Sequence, residues 1–141
     1  MKTYHIGTFV TWRIVVSLLC IPSVSLDAAE TRLIFLHIEP ATYPLKAKVS
    51  KTEGVVVLRV SSPPGSGRPK DIEVIDGPKD LVSGAVENLK LWKIDCGACS
   101  SYVMVYRFSF SGLCYEPCKS NFEFHRPNFI AVTTGVPIVM Q

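Results

Sequence analysis

Four cysteines in the second half of this chain have the spacings that could support chemistry. They form two close pairs, Cys96-Gly-Ala-Cys99 and Cys114-x-x-x-Cys118, with fourteen residues between the pairs. Paired thiolates at short spacing can bind zinc, a Cys-x-x-Cys pair can exchange disulfides, and in an oxidising compartment both pairs can form structural disulfides. The choice among these chemistries depends on the compartment and on the distance between the two pairs.

The N-terminal residues predict export. Residues 1–13 carry basic but no acidic side chains, residues 14–26 are uncharged, and small residues follow at Ala28-Ala29. This is the order of regions in a secretory signal peptide, which we predict over residues 1–29. The uncharged stretch is shorter than the roughly 20 apolar residues that a transmembrane helix needs. A cleaved signal peptide is therefore the preferred interpretation, and an uncleaved membrane anchor is the alternative.

Composition and motifs narrow the function classes. The chain has 141 residues with 48% hydrophobic side chains, 19% charged side chains and a net charge of +3. It is long enough for one domain, is too apolar to be disordered, and has no basic run for nucleic acid. The sequence contains no phosphate loop or nucleophile–base motif, and His37 and His125 lack metal-ligand spacing. We therefore predict a protein that is not an enzyme and has no cofactor, metal or nucleic-acid partner.

Apolar periodicity predicts an α+β fold. The Val-rich run 55–60 and the segment 72–75 predict a β-hairpin with an enlarged tip at 61–70. Residues 79–93 have apolar side chains at helical spacing, with Gly77 or Asp76 as the expected cap. Residues 101–110 alternate, which predicts a long strand with one buried aromatic face.

Three further segments give weaker patterns. Residues 44–54 favour one or two helical turns, and the apolar run within 30–42 has no clear assignment. One or two short strands are expected near 130–133 and 136–140.

The order of these elements resembles the C-terminal domain of the TonB family, the periplasmic part of a bacterial energy transducer. The matching residues are Tyr43-Pro44, Ala47, Glu53–Val60, Ile72–Ile75, Gly77-Pro78, Leu81, Ala85-Val86, Trp92 and Tyr102–Phe110. The resemblance covers 43–111 and implies an antiparallel sheet, made of the hairpin and the long strand, packed on one helix. Residues 30–42 would then be a short linker, and 112–141 a cysteine-containing extension with extra strands.

The resemblance implies recognition of a protein or peptide by strand addition. Members of the family accept an extended peptide of an outer-membrane receptor beside the sheet edge. Carried over to this chain, the edge comprises seven residues: Tyr102, Val103, Met104, Val105, Tyr106, Arg107 and Phe108. We expect a periplasmic domain whose candidate partner is a TonB-dependent receptor, with membrane contact only if the N-terminal segment is retained. In the alternative, residues 122–140 pair with this edge in cis and block it.

Strand geometry favours local pairing of the cysteines. If residues 101–110 form one extended strand, its ends lie ~33 Å apart, whereas a disulfide needs Cα atoms within ~7 Å. The expected disulfides are therefore Cys96–Cys99 and Cys114–Cys118, as structural bonds in an exported protein. The functional alternatives are a periplasmic thiol–disulfide protein built on the Cys96 pair and a structural scaffold of the cell envelope.

Overall fold

The computed structural model describes residues 32–97 and 99–138 of the chain. The predicted signal peptide at 1–29 lies outside the described residues, as does the end of the strand expected at 136–140. Within the described ranges the elements are β1 (Ile34–His37), α1 (Leu45–Val49), β2 (Gly54–Ser61), β3 (Asp71–Asp76), α2 (Lys79–Leu91), β4 (Lys93–Asp95), β5 (Ser101–Cys114), β6 (Ser120–His125) and β7 (Phe129–Pro137).

The strands of the described residues form a mixed five-stranded sheet and a small two-stranded sheet. The large sheet has the order β3-β2-β5-β7-β6, and β1 pairs with β4 in the small one. Neighbours in the large sheet are antiparallel except β5 and β7, which run parallel. The α+β class is therefore confirmed. The hairpin and the long strand are antiparallel as expected, and the additional strand β7 makes the sheet mixed.

The parallel pair follows from the burial pattern of the last two strands. Along β7, Ile130, Val132 and Thr134 are buried at alternate positions, whereas no residue of β6 is fully buried. The more apolar strand β7 therefore takes the interior position beside β5. The chain first runs outward as β6 and then returns, which makes β7 parallel to β5.

Most predicted elements are confirmed, and three short strands, β1, β4 and β6, were not predicted. The hairpin β2–β3, both helical segments and the long strand form where expected, and the unassigned apolar run contains β1. The strand β6 was not predicted, because its alternation extends over only six residues between Cys118 and Pro127. Where one or two short strands were expected after residue 129, a single strand, β7, forms.

The start of α2 differs from the predicted cap. Pro78 itself is the N-cap, with φ −61° and ψ 133° and no side-chain cap bond. The Asp76 carboxylate instead accepts a hydrogen bond from the Gly77 N–H at 2.9 Å. Gly77 has φ 141°, and a Cβ there would lie 3.0 Å from the Val56 Cα. Glycine is therefore needed at this position for the tight approach of the turn to β2.

One face of the large sheet forms the hydrophobic core. The side chains that alternate along β2 and β5 pack against α2 and against β4, and Trp92 at the end of α2 is fully buried among them. Ile130 and Val132 of β7 belong to the same cluster and are also fully buried. Residues 112–141 therefore supply part of the core of the domain that 43–111 was expected to form.

Truncation of Ile130 tests this integration. We expect Ile130→Ala to lower the free energy of unfolding by about 2–5 kcal/mol, because it leaves a cavity in the core. Ile75→Ala is the matched control, since Ile75 of β3 is 45% exposed, and it should cost under about 1 kcal/mol. Urea denaturation of both variants measures the difference, and equal small losses would contradict a shared core.

Candidate functional site

The strand that was expected to accept a peptide lies in the interior of the sheet. Residues 101–108 of β5 pair with β2, and residues from Val105 onward pair with β7 on the other side. The prediction of an open edge along Tyr102–Phe108 is therefore wrong for most of its length. The alternative holds instead, because C-terminal residues of the same chain, those of β7, pair with this edge.

A short notch remains at the beginning of β5. The Val105 N–H donates to the Asn128 carbonyl at 2.9 Å, and the Asn128 side chain donates to the Val103 carbonyl at 3.0 Å. Ser101 and the Val103 N–H lie beyond these contacts with Asn128, the residue that precedes β7. Leu33 and Pro127 flank them around a cavity of about 290 Å³. The open part of the expected edge is thus about two residues long.

The side chains of the expected edge divide between the two faces of the sheet. Four of them are buried in the core: Tyr102, Met104, Tyr106 and Phe108. The other three, Val103, Val105 and Arg107, lie on the opposite face. The Arg107 guanidinium lies 5.3 Å from the centre of the Phe129 ring, a cation–π contact between β5 and β7. These side chains hold the sheet together and do not converge on a ligand site.

The strand β6 is the outer edge that the sequence did not indicate. Its inward side chains, Phe122 and Phe124, are half-buried against the Trp92 ring at centroid distances of 6.3 and 5.4 Å. The Phe35 ring lies 4.7 Å from the Phe124 ring. A cluster of four aromatic rings, Phe35, Trp92, Phe122 and Phe124, therefore packs on the inner face of this edge strand. The alternation of apolar and charged side chains at Phe122, Glu123 and Phe124 is the sequence pattern that could have predicted this strand, although it is short.

Alternation of main-chain groups shows what β6 presents outward. The Asn128 carbonyl points towards β5, and main-chain groups of successive strand residues point to opposite sides. The main-chain groups of Phe129 and Ala131 therefore point towards β6, where these two residues pair with His125 and Glu123. The N–H and C=O groups of Phe122 and Phe124 consequently point away from the sheet, and no other strand within residues 32–97 and 99–138 pairs with them.

The opposite edge, β3, is less suited to strand pairing. Its register with β2 is interrupted between Val57 and Leu58, and it carries the acidic side chains of Asp71, Glu73 and Asp76. Charges and bulges on an edge strand are the usual obstacles to pairing with another chain.

A buried polar network connects α2 with β5. The Trp92 indole N–H lies 2.9 Å from the Glu39 carbonyl oxygen and 3.0 Å from the Asn88 side-chain oxygen. The Asn88 amide donates to the Glu39 carbonyl at 2.9 Å, and the Tyr106 hydroxyl donates to Asn88 at 3.0 Å. Every bond satisfies a group that would be costly to bury alone. The network fixes α2 and the segment before α1 against the sheet.

Three tyrosines have raised pKa values because they are buried. Burial, with a smaller effect of the Glu53 carboxylate, raises the pKa of Tyr43 to about 12, and burial raises the pKa of Tyr102 to about 12. Burial and, second, Tyr102 raise the pKa of Tyr106 well above its usual range. All three shifts favour the neutral phenol. The Tyr43 hydroxyl donates to the Thr52 carbonyl and the Tyr106 hydroxyl donates to Asn88, whereas the buried Tyr102 hydroxyl has no partner among the described residues.

The cysteines lie as two local pairs, as expected from the spacing. The Cα atoms are 5.3 Å apart in the pair Cys96–Cys99 and 5.7 Å apart in Cys114–Cys118, within the range of a disulfide. The two pairs lie before and after β5. Cys96 is 4% exposed and follows β4, so it lacks the accessible, helix-N-terminal setting of a reactive thiol.

The remaining polar candidates lie apart from one another. His37 and His125 are exposed, and each lies beside one glutamate, Glu39 at 3.3 Å and Glu123 at 3.4 Å. The residues that the structure describes contain no group of three or more metal-ligating side chains. Neither described helix is long and apolar enough to cross a bilayer.

Comparisons of the chain with protein-family models, with characterised proteins and with solved structures find no match. The resemblance to the TonB C-terminal domain therefore depends on the residues and the element order described above.

Loss of the Asn88 side chain should destabilise the domain through Tyr106. Asn88→Ala leaves the buried Tyr106 hydroxyl without its acceptor, so we expect a loss of about 1–3 kcal/mol in unfolding free energy. The measurement is chemical denaturation in the wild-type and Tyr106→Phe backgrounds. The loss should be smaller in the second background, where no hydroxyl is orphaned, and equal losses would contradict this coupling.

Peptide mapping of the purified protein, isolated without reductant, tests the cysteine pairing. Without reductant, we expect Cys96 linked to Cys99 and Cys114 linked to Cys118, because the partners within each pair are adjacent. Alkylation before and after reduction, followed by mass spectrometry, identifies the linked peptides. A link between the two pairs, or four alkylated thiols without reduction, would contradict the prediction.

Proposed function

We propose that this chain is an exported, non-catalytic recognition domain of the TonB C-terminal type that binds a protein or an extended peptide by strand addition. Its place is the periplasm of a bacterial cell envelope, and its candidate partner is a TonB-dependent outer-membrane receptor. The observation that carries the proposal is a sheet edge, β6, that is supported by aromatic rings and that no other described strand covers, on a domain with this element order.

The order and pairing of the central elements support the assignment to this type. The chain runs α1, β2, β3, α2, β5, and the corresponding strands lie side by side in the order β3-β2-β5. All these strands are antiparallel to their neighbours, and the buried residues of α2 pack on the same sheet face. This is the arrangement that the resemblance implies for residues 43–111.

The edge that the resemblance indicates is taken by the chain itself. A partner could reach it only by displacing β7, which would expose Ile130 and Val132. Each of these side chains is fully buried, and full burial of such a residue contributes about 1.5–3 kcal/mol. The ladder between β5 and β7 would be lost as well. Displacement is therefore unfavourable, and we assign strand addition to β6.

The geometry of β6 favours an added strand. Phe122 and Phe124 offer two outward N–H and two outward C=O groups, because their neighbours in the strand point towards β7. The inward side chains of an added strand would continue the aromatic layer formed by Phe35, Phe122 and Phe124. Main-chain bonds would then provide affinity and alternate side chains would provide specificity.

The buried Cys96 argues against the thiol–disulfide alternative. A nucleophilic thiol must be reached by its substrate, and Cys96 is almost fully enclosed in the core. The recognition role needs no reactive cysteine.

Site-specific photo-cross-linking distinguishes the two sheet edges. Glu123 on β6 and Glu73 on β3 are matched positions, with side chains 58% and 64% exposed at opposite edges. The benzophenone amino acid p-benzoylphenylalanine at position 123 should cross-link a partner in envelope membranes of the producing organism. The same amino acid at position 73 is the control and should not.

Hydrogen exchange gives a second readout on the captured complex. The main-chain amides of Phe122 and Phe124 should exchange rapidly in the free protein and become protected when the partner is bound. Equal cross-linking at both edges, or a partner that leaves these amides unprotected, would contradict strand addition at β6.

A further inference from the structure

We propose that the end of the domain formed by α1 and the Cys114–Cys118 loop binds the surface of an anionic phospholipid bilayer. We call this surface the basic–apolar tip and define it as the side chains of residues 45–51 and 113–119. It is separate from the outward main-chain groups of β6 and does not depend on strand addition.

The basic–apolar tip carries the most exposed large hydrophobic side chains of the described residues. They are Leu45 at 77%, Val49 at 78%, Leu113 at 74% and Tyr115 at 69% exposure. Single exposed apolar residues need no explanation, but several on one surface indicate an interaction site.

Contacts between the two segments make the tip one surface. Leu45 and Val49 of α1 face Pro117 across a cavity of about 220 Å³, which Pro137 also lines. The Lys48 ammonium donates a hydrogen bond to the Cys118 carbonyl at 3.0 Å. The short helix and the cysteine loop are therefore held next to each other, with their apolar side chains directed to solvent.

The charge of the tip is complementary to an anionic surface. Residues 45–51 contain three lysines and no acidic residue, and residues 113–119 contain Lys119 and Glu116. The ion pairs found among the described residues involve none of these lysines. The two segments together carry a net charge of +3, since four lysines face one glutamate.

This combination fits a lipid surface better than a protein partner. Lysine is depleted in protein–protein interfaces, and their binding energy is concentrated in well-packed central pockets. The tip instead has apolar side chains that protrude into solvent among lysines. Leucine, valine and tyrosine can enter the headgroup region while the surrounding lysines attract anionic lipids.

A fluorescent probe at the tip tests the proposal in the full chain as the producing cell processes it. Tyr115→Trp, in a Trp12→Phe background, places an indole on the tip, while Trp92 is fully buried and gives a constant signal. We expect vesicles containing brominated phosphatidylglycerol to quench the new indole, and vesicles of brominated phosphatidylcholine alone to quench it far less. Leu36→Trp is the matched control, since Leu36 is 61% exposed on β1, and it should be quenched little by either.

Removal of two lysines of the basic–apolar tip tests whether electrostatic attraction of these lysines to anionic lipids contributes to vesicle binding. Lys51→Gln combined with Lys119→Gln should weaken partitioning into the anionic vesicles about 30-fold, at about 1 kcal/mol for each lysine. The control, Lys90→Gln combined with Lys93→Gln, removes the same charge from exposed positions on α2 and β4 and should change partitioning little.

Three results would overturn the proposal. The first is the absence of quenching of the Tyr115→Trp indole by either vesicle, which would assign the tip to a protein partner. The second is equal quenching of the Tyr115→Trp and Leu36→Trp indoles, which would indicate attachment through another part of the chain. The third is an equal effect of the two double lysine variants.

Discussion

The pairing of β7 with β5 is the constraint on which the rest of the sheet depends. The two strands are parallel, and their side chains on the inner face, Ile130 and Val132 beside Tyr106 and Phe108, complete one core. A chain that ended after β5 would leave the core open on this side and would expose a long strand edge. The C-terminal residues therefore stabilise the domain and, in doing so, determine which strand lies at its edge.

This intramolecular pairing determines where the sheet can accept another strand. A strand tethered to its own domain competes at a high effective concentration, and a separate peptide of similar sequence would not displace it. The position beside β5 is thus occupied by β7, and the edge strand on this side of the sheet is β6. The exposed main-chain groups then belong to Phe122 and Phe124, whose rings are anchored by Trp92 and Phe35.

The sequence was sufficient to predict the hairpin, α2 and the long strand β5 with their buried faces, but it did not predict β6 or which strands pair with each other. Period-two alternation placed Tyr102, Met104 and Tyr106 on the buried face, and helical spacing located α2. Alternation specifies the face of a strand and contains no information on which strand pairs along each edge. The position of β7 follows from the relative burial of two strands, and the Asn88–Trp92–Tyr106 network depends on long-range contacts that no local pattern reveals.

The two cysteine pairs lie at the two ends of β5 and constrain the chain there. A disulfide that closes a loop of three or four residues restricts the unfolded chain only modestly, by about 2 kcal/mol in the loop-entropy model. Its larger effect is local, because it fixes the direction in which the chain leaves the strand. The Cys114–Cys118 loop turns the chain from β5 towards β6 and lies beside α1, where the Lys48 ammonium donates a hydrogen bond to the Cys118 carbonyl. The spacing that could have supported redox or metal chemistry instead shapes the end of the domain at which the exposed apolar and basic side chains meet.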